Sequence, residues 1–289
     1  MILRSLLFAP ANHERHAAKA LSGSADGAIL DLEDAVEVGQ KPRARDLLVE
    51  LIKQHQPGGP ALFVRVNGLT TAFAYDDLVA VARPGVDGIL LPKTESARDV
   101  HVADWLILQM ELKHGLEQRS IRLFPIVETA LGLIRIEEIA CASPRVGRLS
   151  FGAGDFTLDT GIPWEPANEA VLAGRIRMVV VSRAAGLDAP LDTVYPDLRD
   201  TEGFAREAEQ GKRLGFQGKA CIHPTQVDIV NRIFSPSAEE VERARRLLSA
   251  FEEANRQGSA SIQIDGDFVD YPVAERARRV IARAEQMGS

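Results

Sequence analysis

The chain has 289 residues, enough for one large domain or two ordinary ones. Hydrophobic residues make up 45% and charged residues 26%, the balance of a folded soluble protein rather than a disordered one. Lys plus Arg is 34 against 41 for Asp plus Glu; the net charge of −7 speaks against broad nucleic-acid or membrane-surface binding but leaves room for a local basic pocket.

The opening apolar run, Met1 to Phe8, is too short for a signal sequence, and Pro10, Asn12 and His13 follow where a cleavage site would lie. It reads instead as the first of eight short aliphatic runs, at residues 3–9, 27–32, 61–66, 88–92, 122–127, 148–152, 190–195 and 218–223. Each is apolar at successive positions, as expected for parallel strands buried on both faces. Between them apolar residues recur at helical spacing, most clearly over 75–82, 131–141 and 169–185, and a further helical stretch covers 226–234. Alternating strands and helices in this number predict a (β/α)8 TIM barrel over residues 1–235. A doubly wound open sheet is the rival, because periodicity does not show closure.

Residues 236–289 form a C-terminal extension. It reads as a charged helix over 237–257 entered through Ser235-Pro236-Ser237, a β-rich turn over 258–270 and a second helix over 272–286. This tail is too short for a core of its own and is expected to serve as a lid or inter-subunit arm. No segment approaches ~20 uninterrupted apolar residues, so no membrane span is expected. Two cysteines, Cys141 and Cys221, cannot build a disulfide framework, which points to the cytoplasm. Apolar flanks put Cys221 in the core.

In a barrel, chemistry gathers at the C-terminal ends of the strands. Here those ends carry Asp31-Leu32-Glu33-Asp34, Arg65-Val66-Asn67, Pro92-Lys93, Glu128-Thr129, Gly152-Ala153-Gly154-Asp155 and His223-Pro224. Carboxylates from three strands beside an Arg and a Lys suggest a divalent cation with an anionic substrate. Glu128 and Asp155 are hard oxygen ligands suited to Mg²⁺. The strand pleat turns only some of Asp31, Glu33 and Asp34 inward, and Glu33 reads best as support or a helix cap. Arg65 can clamp a carboxylate or a developing alkoxide, or form a salt bridge to the 31–34 cluster. The glycines of 152–155 let backbone N–H groups approach an anion closely. Lys93 could form a Schiff base, although strand-end lysines are common salt-bridge members and the carboxylate pair favours metal chemistry. His223, before a proline, reads as a structural hydrogen-bonder.

These motifs occur in an order that resembles one family. Ser5-Leu6-Leu7-Phe8-Ala9-Pro10, Leu32-Glu33-Asp34-Ala35-Val36, Arg65-Val66-Asn67, Leu91-Pro92-Lys93, Phe151-Gly152-Ala153-Gly154-Asp155, Cys221-Ile222-His223-Pro224 and 266–273 match the citrate lyase β-subunit-like CoA-ester lyases of the HpcH/HpaI aldolase superfamily. The resemblance covers essentially the whole chain. It implies a TIM barrel that binds Mg²⁺ through Glu128 and Asp155. It also implies that Arg65 and the amides of Gly154 and Asp155 hold a 2-oxo or 2-hydroxy acid, and that Arg15 and Lys19 contact CoA phosphates. Arg65, Asp34 and Asp270 form the expected catalytic set, with Asp270 supplied by a neighbouring subunit of a homotrimer or homohexamer. The reaction implied is carbon–carbon cleavage of a short 3-hydroxyacyl-CoA, such as malyl-, citramalyl- or citryl-CoA, with no nucleic acid or membrane as partner. A CoA-independent 4-hydroxy-2-oxo acid aldolase and a citrate lyase β chain within a larger complex are the alternatives.

Overall fold

The computed structural model describes residues 1–56, 58–165, 169–264 and 266–288. β1 (Ser5–Pro10) leads into α1 (Glu14–Leu21), β2 (Gly27–Asp31) into α2 (Lys41–Gln54), β3 (Ala61–Arg65) into α3 (Ala74–Val81), and β4 (Gly88–Leu91) into α4 (Ala97–His114). β5 (Arg122–Val127) is followed by α5 (Ala130–Ile134) and α6 (Ile136–Cys141), and β6 (Ser150–Phe151) by α7 (Ala153–Thr160) and α8 (Leu172–Ala184). β7 (Leu191–Asp192), α9 (Thr201–Leu214), β8 (Gly218–Cys221) and α10 (Pro224–Phe234) complete the series. Each strand pairs with the next and β8 pairs in parallel with β1, so the sheet closes into a barrel. Closure removes the open-sheet rival.

The helices start and stop where their sequence says they should. Ser96 caps α4 by accepting the Asp99 N–H, and Gly115 ends it in the left-handed conformation that glycine tolerates best. Asp200 and Gly215 do the same for α9. Four elements differ from their sequence expectation. β6 and β7 are only two residues long, and they pair with each other through Ser150 and Leu191 alone. The helical run 131–141 breaks at Arg135, which turns Ile136 and Ile139 into the core while Ile134 stays exposed. The run 169–185 begins as a 3₁₀ turn, Glu169–Val171, before α8.

Strand side chains alternate across the sheet, so every second residue points into the barrel. Leu3, Leu6, Ile29, Phe63, Leu90 and Phe124 fill the interior. Phe63 dominates this layer, with its ring 5.1 Å from that of Phe124. It fits because both neighbouring strands carry glycine beside it. A Cβ on Gly27 would lie 3.0 Å from the Phe63 ring, and one on Gly88 2.9 Å.

The chain divides into two compact units, Leu3–Asn231 and a second made of Met1–Ile2 with the segment from Arg232 onward. The second unit contains α11 (Ala238–Arg256), an antiparallel hairpin of β9 (Ile262–Ile264) and β10 (Asp267–Val269), and α12 (Tyr271–Gly288). Ser237 and Glu240 close a reciprocal capping box at the start of α11. Sequence length argued against a separate core for this tail. The structure gives it a small one, Leu247, Phe251, Val269 and Ala274, with the Phe251 and Tyr271 rings edge-to-face at 5.1 Å. Among the described residues, no helix is long and apolar enough to cross a membrane.

The seam between β8 and β1 depends on Gly218. A Cβ there would lie 2.1 Å from the Leu3 carbonyl oxygen and 2.4 Å from that of Arg4, both backbone atoms that cannot step aside. Gly218→Ala is expected to destabilise the barrel by ~3 kcal/mol, the upper range for overpacking, measured as a lowered urea midpoint. An unchanged midpoint would show that the seam relaxes.

Candidate active site

The rim formed by the C-terminal strand ends gathers the charged residues that the sequence scatters. Asp31 and Arg65 are register partners at the ends of β2 and β3. Arg65 Nε and Nη2 donate to the two Asp31 carboxylate oxygens at 2.7 Å each, a planar fork that fixes the guanidinium. Arg65 Nη1 faces Glu33 at 3.1 Å and Asp34 at 3.5 Å, and the Phe8 ring lies beneath, 5.0 Å from the guanidinium carbon. Burial works against the Arg65 cation, but the charge and hydrogen bonds of Asp31, with Glu33 and Asp34 behind them, outweigh it and raise its pKa. The salt-bridge reading of Arg65 is therefore realised, and the same contacts hold it in place at the rim.

Glu33 is buried and serves as an ion-pair acceptor, not a helix cap. Its Oε1 takes a 2.6 Å hydrogen bond from Lys93 Nζ, and Oε2 faces Arg65 without hydrogen-bond alignment. Burial, opposed by Arg65 and Lys93, leaves its pKa raised. Lys93 sits just beyond β4 at φ +50°, a left-handed conformation unusual for a side chain-bearing residue. That twist lets its backbone N–H donate to Glu128 Oε1 at 2.7 Å while its ammonium reaches Glu33. Burial lowers the Lys93 pKa, but the Glu33 hydrogen bond and charge raise it more. An ammonium held in this way is not a Schiff-base nucleophile. Lys41 secures the loop beneath, its Nζ donating to the carbonyls of Leu32 and Glu33 and to Asn67 Oδ1.

Glu128 follows β5 and is 2% exposed. Its carboxylate lies over Gly152, where a Cβ would come within 2.3 Å of Oε2. Burial, together with the charges of Glu33 and Asp155, pushes the Glu128 carboxyl up to about 8. Asp155, in the first turn of α7, forms no ion pair or hydrogen bond with any described residue. At the start of that helix the Ala153 N–H donates to Thr193 Oγ1 and the Phe156 N–H to the Gly152 carbonyl. The intervening N–H groups of Gly154 and Asp155 have no acceptor among the described residues, at the helix end where a negative charge is favoured. The glycines of this segment thus have separate tasks. Gly152 makes room for Glu128, and Gly154 for the Trp164 ring, which a Cβ would meet at 3.2 Å.

These groups line one end of a cavity of about 780 Å³, within the usual range for small-molecule sites. Asp31, Asp34, Arg65, Glu128, Gly154 and Asp155 all reach it. Among the lining residues that sequence reasoning did not assign to the site are Phe8, Thr193 and Trp164. Phe8 follows inward-facing Leu6 by two positions, so strand alternation would have found it. Trp164 lies in a loop, where no periodicity marks it.

A second cavity of about 220 Å³ shares Phe8 and Ile222 with the first and is lined by Lys19 on α1. Arg15 is exposed on the same helix and does not line it. His223 bonds locally, its Nδ1 with the Thr225 hydroxyl, and Cys221 is a buried core thiol pushed up to about 12 by burial. Asp270 lies in the other compact unit, where its carboxylate accepts the Val273 N–H and caps α12. Among the described residues, no group of three or more His, Cys, Asp or Glu is arranged to hold a metal. Glu128 and Asp155 remain as a pair of hard oxygen donors with no cationic side chain paired to either among the described residues.

The rim of this closed parallel barrel combines an anchored arginine, carboxylates without a paired cation and free helix-terminal amides, and two family profiles match the chain. The HpcH/HpaI aldolase/citrate lyase family profile matches residues 4–224, and that of the C-C bond lyases of the TIM-barrel fold matches residues 169–289. The chain belongs to the HpcH/HpaI aldolase/citrate lyase family and is an enzyme of the carbon–carbon lyase class. It is 37% identical over 281 residues to the citrate lyase subunit beta of Leuconostoc mesenteroides, covering 97% of this chain and 93% of the relative. It is likewise 37% identical over 286 residues to a (3S)-malyl-CoA thioesterase of Cereibacter sphaeroides, covering 99% and 96%. The crystal structure of the protein CitE from Mycobacterium tuberculosis, in complex with magnesium, acetoacetate and coenzyme A, superposes with a TM-score of 0.79 at 31% identity and 98% coverage of both chains.

The raised Glu128 pKa gives a signed expectation for chelated buffer. Unfolded, this carboxyl ionises near 4.5; folded, it holds its proton to about 8. Its contribution to stability is therefore undiminished below pH ~4.5, falls as pH rises through that window and is lost above ~8. Glu128→Gln should be more stable than the wild type by ~2–4 kcal/mol at pH 8.5 and nearly equal at pH 4.5, read by urea unfolding in EDTA. A pH-independent difference would contradict the burial of an ionisable carboxyl here.

Proposed function

We propose that the chain is a Mg²⁺-dependent lyase that splits a short 3-hydroxyacyl-CoA into an acyl-CoA and a 2-oxo acid. The observation that carries this reading is the polar end of the large cavity, where the anchored Arg65 cation, the carboxylates of Glu128 and Asp155, and the free amides of Gly154 and Asp155 line one space. The complex of the Mycobacterium tuberculosis relative with magnesium, acetoacetate and coenzyme A supports the same ligand set. Glu128 and Asp155 would hold Mg²⁺, which commonly takes one or two protein carboxylates and otherwise water and substrate, and which when bound supplies Lewis-acid polarisation of a substrate oxygen.

The Gly154 and Asp155 amides receive the carboxylate of the acid fragment, and Arg65 stabilises the alkoxide that grows beside it. Asp34, exposed at the rim beside Arg65, takes the proton of the 3-hydroxyl. The bond between C2 and C3 then breaks, its electron pair passes to the thioester enolate, and Asp270 returns a proton to C2. In the condensation direction Asp270 is the base. Lys19, with Arg15 on the same helix, contacts the CoA phosphates. Asp270 comes from a neighbouring chain of a homotrimer or homohexamer, and the enzyme works in the cytoplasm.

A panel of 3-hydroxyacyl-CoA esters with Mg²⁺, read by product mass, tests the reading and separates cleavage from hydrolysis. Glu128→Ala and Asp155→Ala should abolish turnover while keeping the fold. Arg65→Lys should lower kcat/KM ~10²-fold, because lysine cannot reproduce the fork. Mixed oligomers of inactive Asp270→Asn and inactive Glu128→Ala chains should regain activity, since some sites then receive both intact residues. Full turnover in chelated buffer, near-normal Arg65→Lys kinetics, or no recovery despite proven subunit exchange would each remove the corresponding role.

A further inference from the structure

The cavity is strongly asymmetric in chemistry. Its polar end holds four carboxylates, Asp31, Asp34, Glu128 and Asp155, and among the described residues Arg65 is the one cationic side chain in the lining. That cation is already bound along its Nε–Nη2 edge by Asp31, and its Nη1 faces Glu33 and Asp34. Lys93, just outside the lining, is committed to Glu33. What remains for a substrate carboxylate is one cradle, the Gly154 and Asp155 N–H pair at the start of α7.

Much of the rest of the wall is apolar, and it also carries Ser150, Thr157 and Thr193. Ile126, Phe151, Leu158, Ile162, Trp164 and Val194 line it, and the Trp164 ring packs against Gly154, beside that cradle. A second carboxylate on the acid fragment would meet a surplus of like charge, with no lining cation besides the committed Arg65 among the described residues to receive it. A small alkyl group in the same place would bury apolar surface against Trp164, a gain of ~4-fold in affinity per methylene at the usual transfer energy.

We propose that the site takes a 2-oxo acid with a single carboxylate and a one- or two-carbon alkyl substituent, and selects against a second carboxylate. Trp164 and Gly154 form the wall that reads the substituent. This narrows the lyase reading to one substrate class and rests on that reading for the assignment of the polar end. The corresponding CoA ester carries the alkyl group on C3, beside the hydroxyl and the carboxylate.

Equilibrium binding of the acids alone tests this without turnover. The chain has two tryptophans, and Trp105 is exposed on α4, so a Trp105→Phe background leaves Trp164 as the fluorescent reporter of the cavity. Pyruvate, 2-oxobutyrate, glyoxylate and oxaloacetate are titrated in the presence of Mg²⁺. Pyruvate and 2-oxobutyrate are expected to bind ~4-fold or more tighter than glyoxylate. Pyruvate is expected to bind at least ~10-fold tighter than oxaloacetate, the effect of one unpaired charge. Leu158→Arg places a cation on an exposed lining position, 79% accessible, where folding is not at stake, and should narrow the oxaloacetate gap ~10-fold. Oxaloacetate binding as tightly as pyruvate, glyoxylate binding as tightly as pyruvate, no acid binding at all, or an unchanged gap in Leu158→Arg would each overturn the proposal. If the acids bind in the expected order but no CoA ester is cleaved, the lyase reading fails and the acid selectivity stands.

Discussion

Arg65 and Asp31 face each other in register on adjacent strands, and the rest of the rim is arranged around that pair. A buried guanidinium pays for desolvation, and such pairs add little to net stability. What this one provides is position. With Nε and Nη2 fixed by Asp31 and the Phe8 ring beneath, Arg65 cannot follow a ligand, so the ligand must come to it. Preorganised charge of this kind is what stabilises a developing alkoxide without reorganisation at the moment of reaction.

The second pair, Glu33 with Lys93, carries the arrangement one strand further round the barrel. The left-handed twist at Lys93 lets one residue bind two carboxylates, through its ammonium and through its backbone N–H. Strain of about 1 kcal/mol or more at such a residue persists only where neighbouring contacts hold it. Here they do, and the result is that Glu128 is oriented by a neutral donor while remaining uncompensated in charge. Glu128 and Asp155 together are thus poised for a cation instead of being neutralised by the protein.

Glycine has a geometrical part in this. The Glu128 carboxylate can lie where it does because Gly152 has no side chain, and the Trp164 ring can approach α7 because Gly154 has none. The same absence deeper in the barrel, at Gly27 and Gly88, admits Phe63. Close packing in the lower layer holds the strands rigidly enough for the rim above to keep its distances. The polar chemistry at the top of the barrel rests on a dry, well-filled interior.

By itself the sequence determined the alternating order of strands and helices and the charged residues at the strand ends. Eight apolar runs at regular spacing require a parallel sheet, and their charged ends require Asp31, Arg65, Glu128 and Asp155 to share a face once that sheet closes. Closure itself, the pairing of β8 with β1 through Gly218, was decided only by the tertiary structure, because hydrophobic periodicity is blind to which strand meets which. The partners of each charge were also hidden. No spacing rule says that Asp31 binds Arg65, that Lys93 twists to reach both Glu33 and Glu128, or that Trp164 closes on Gly154. Those contacts join residues 10 to 60 positions apart, and side-chain reach across a curved rim depends on register and loop path, neither of which is written locally in the chain.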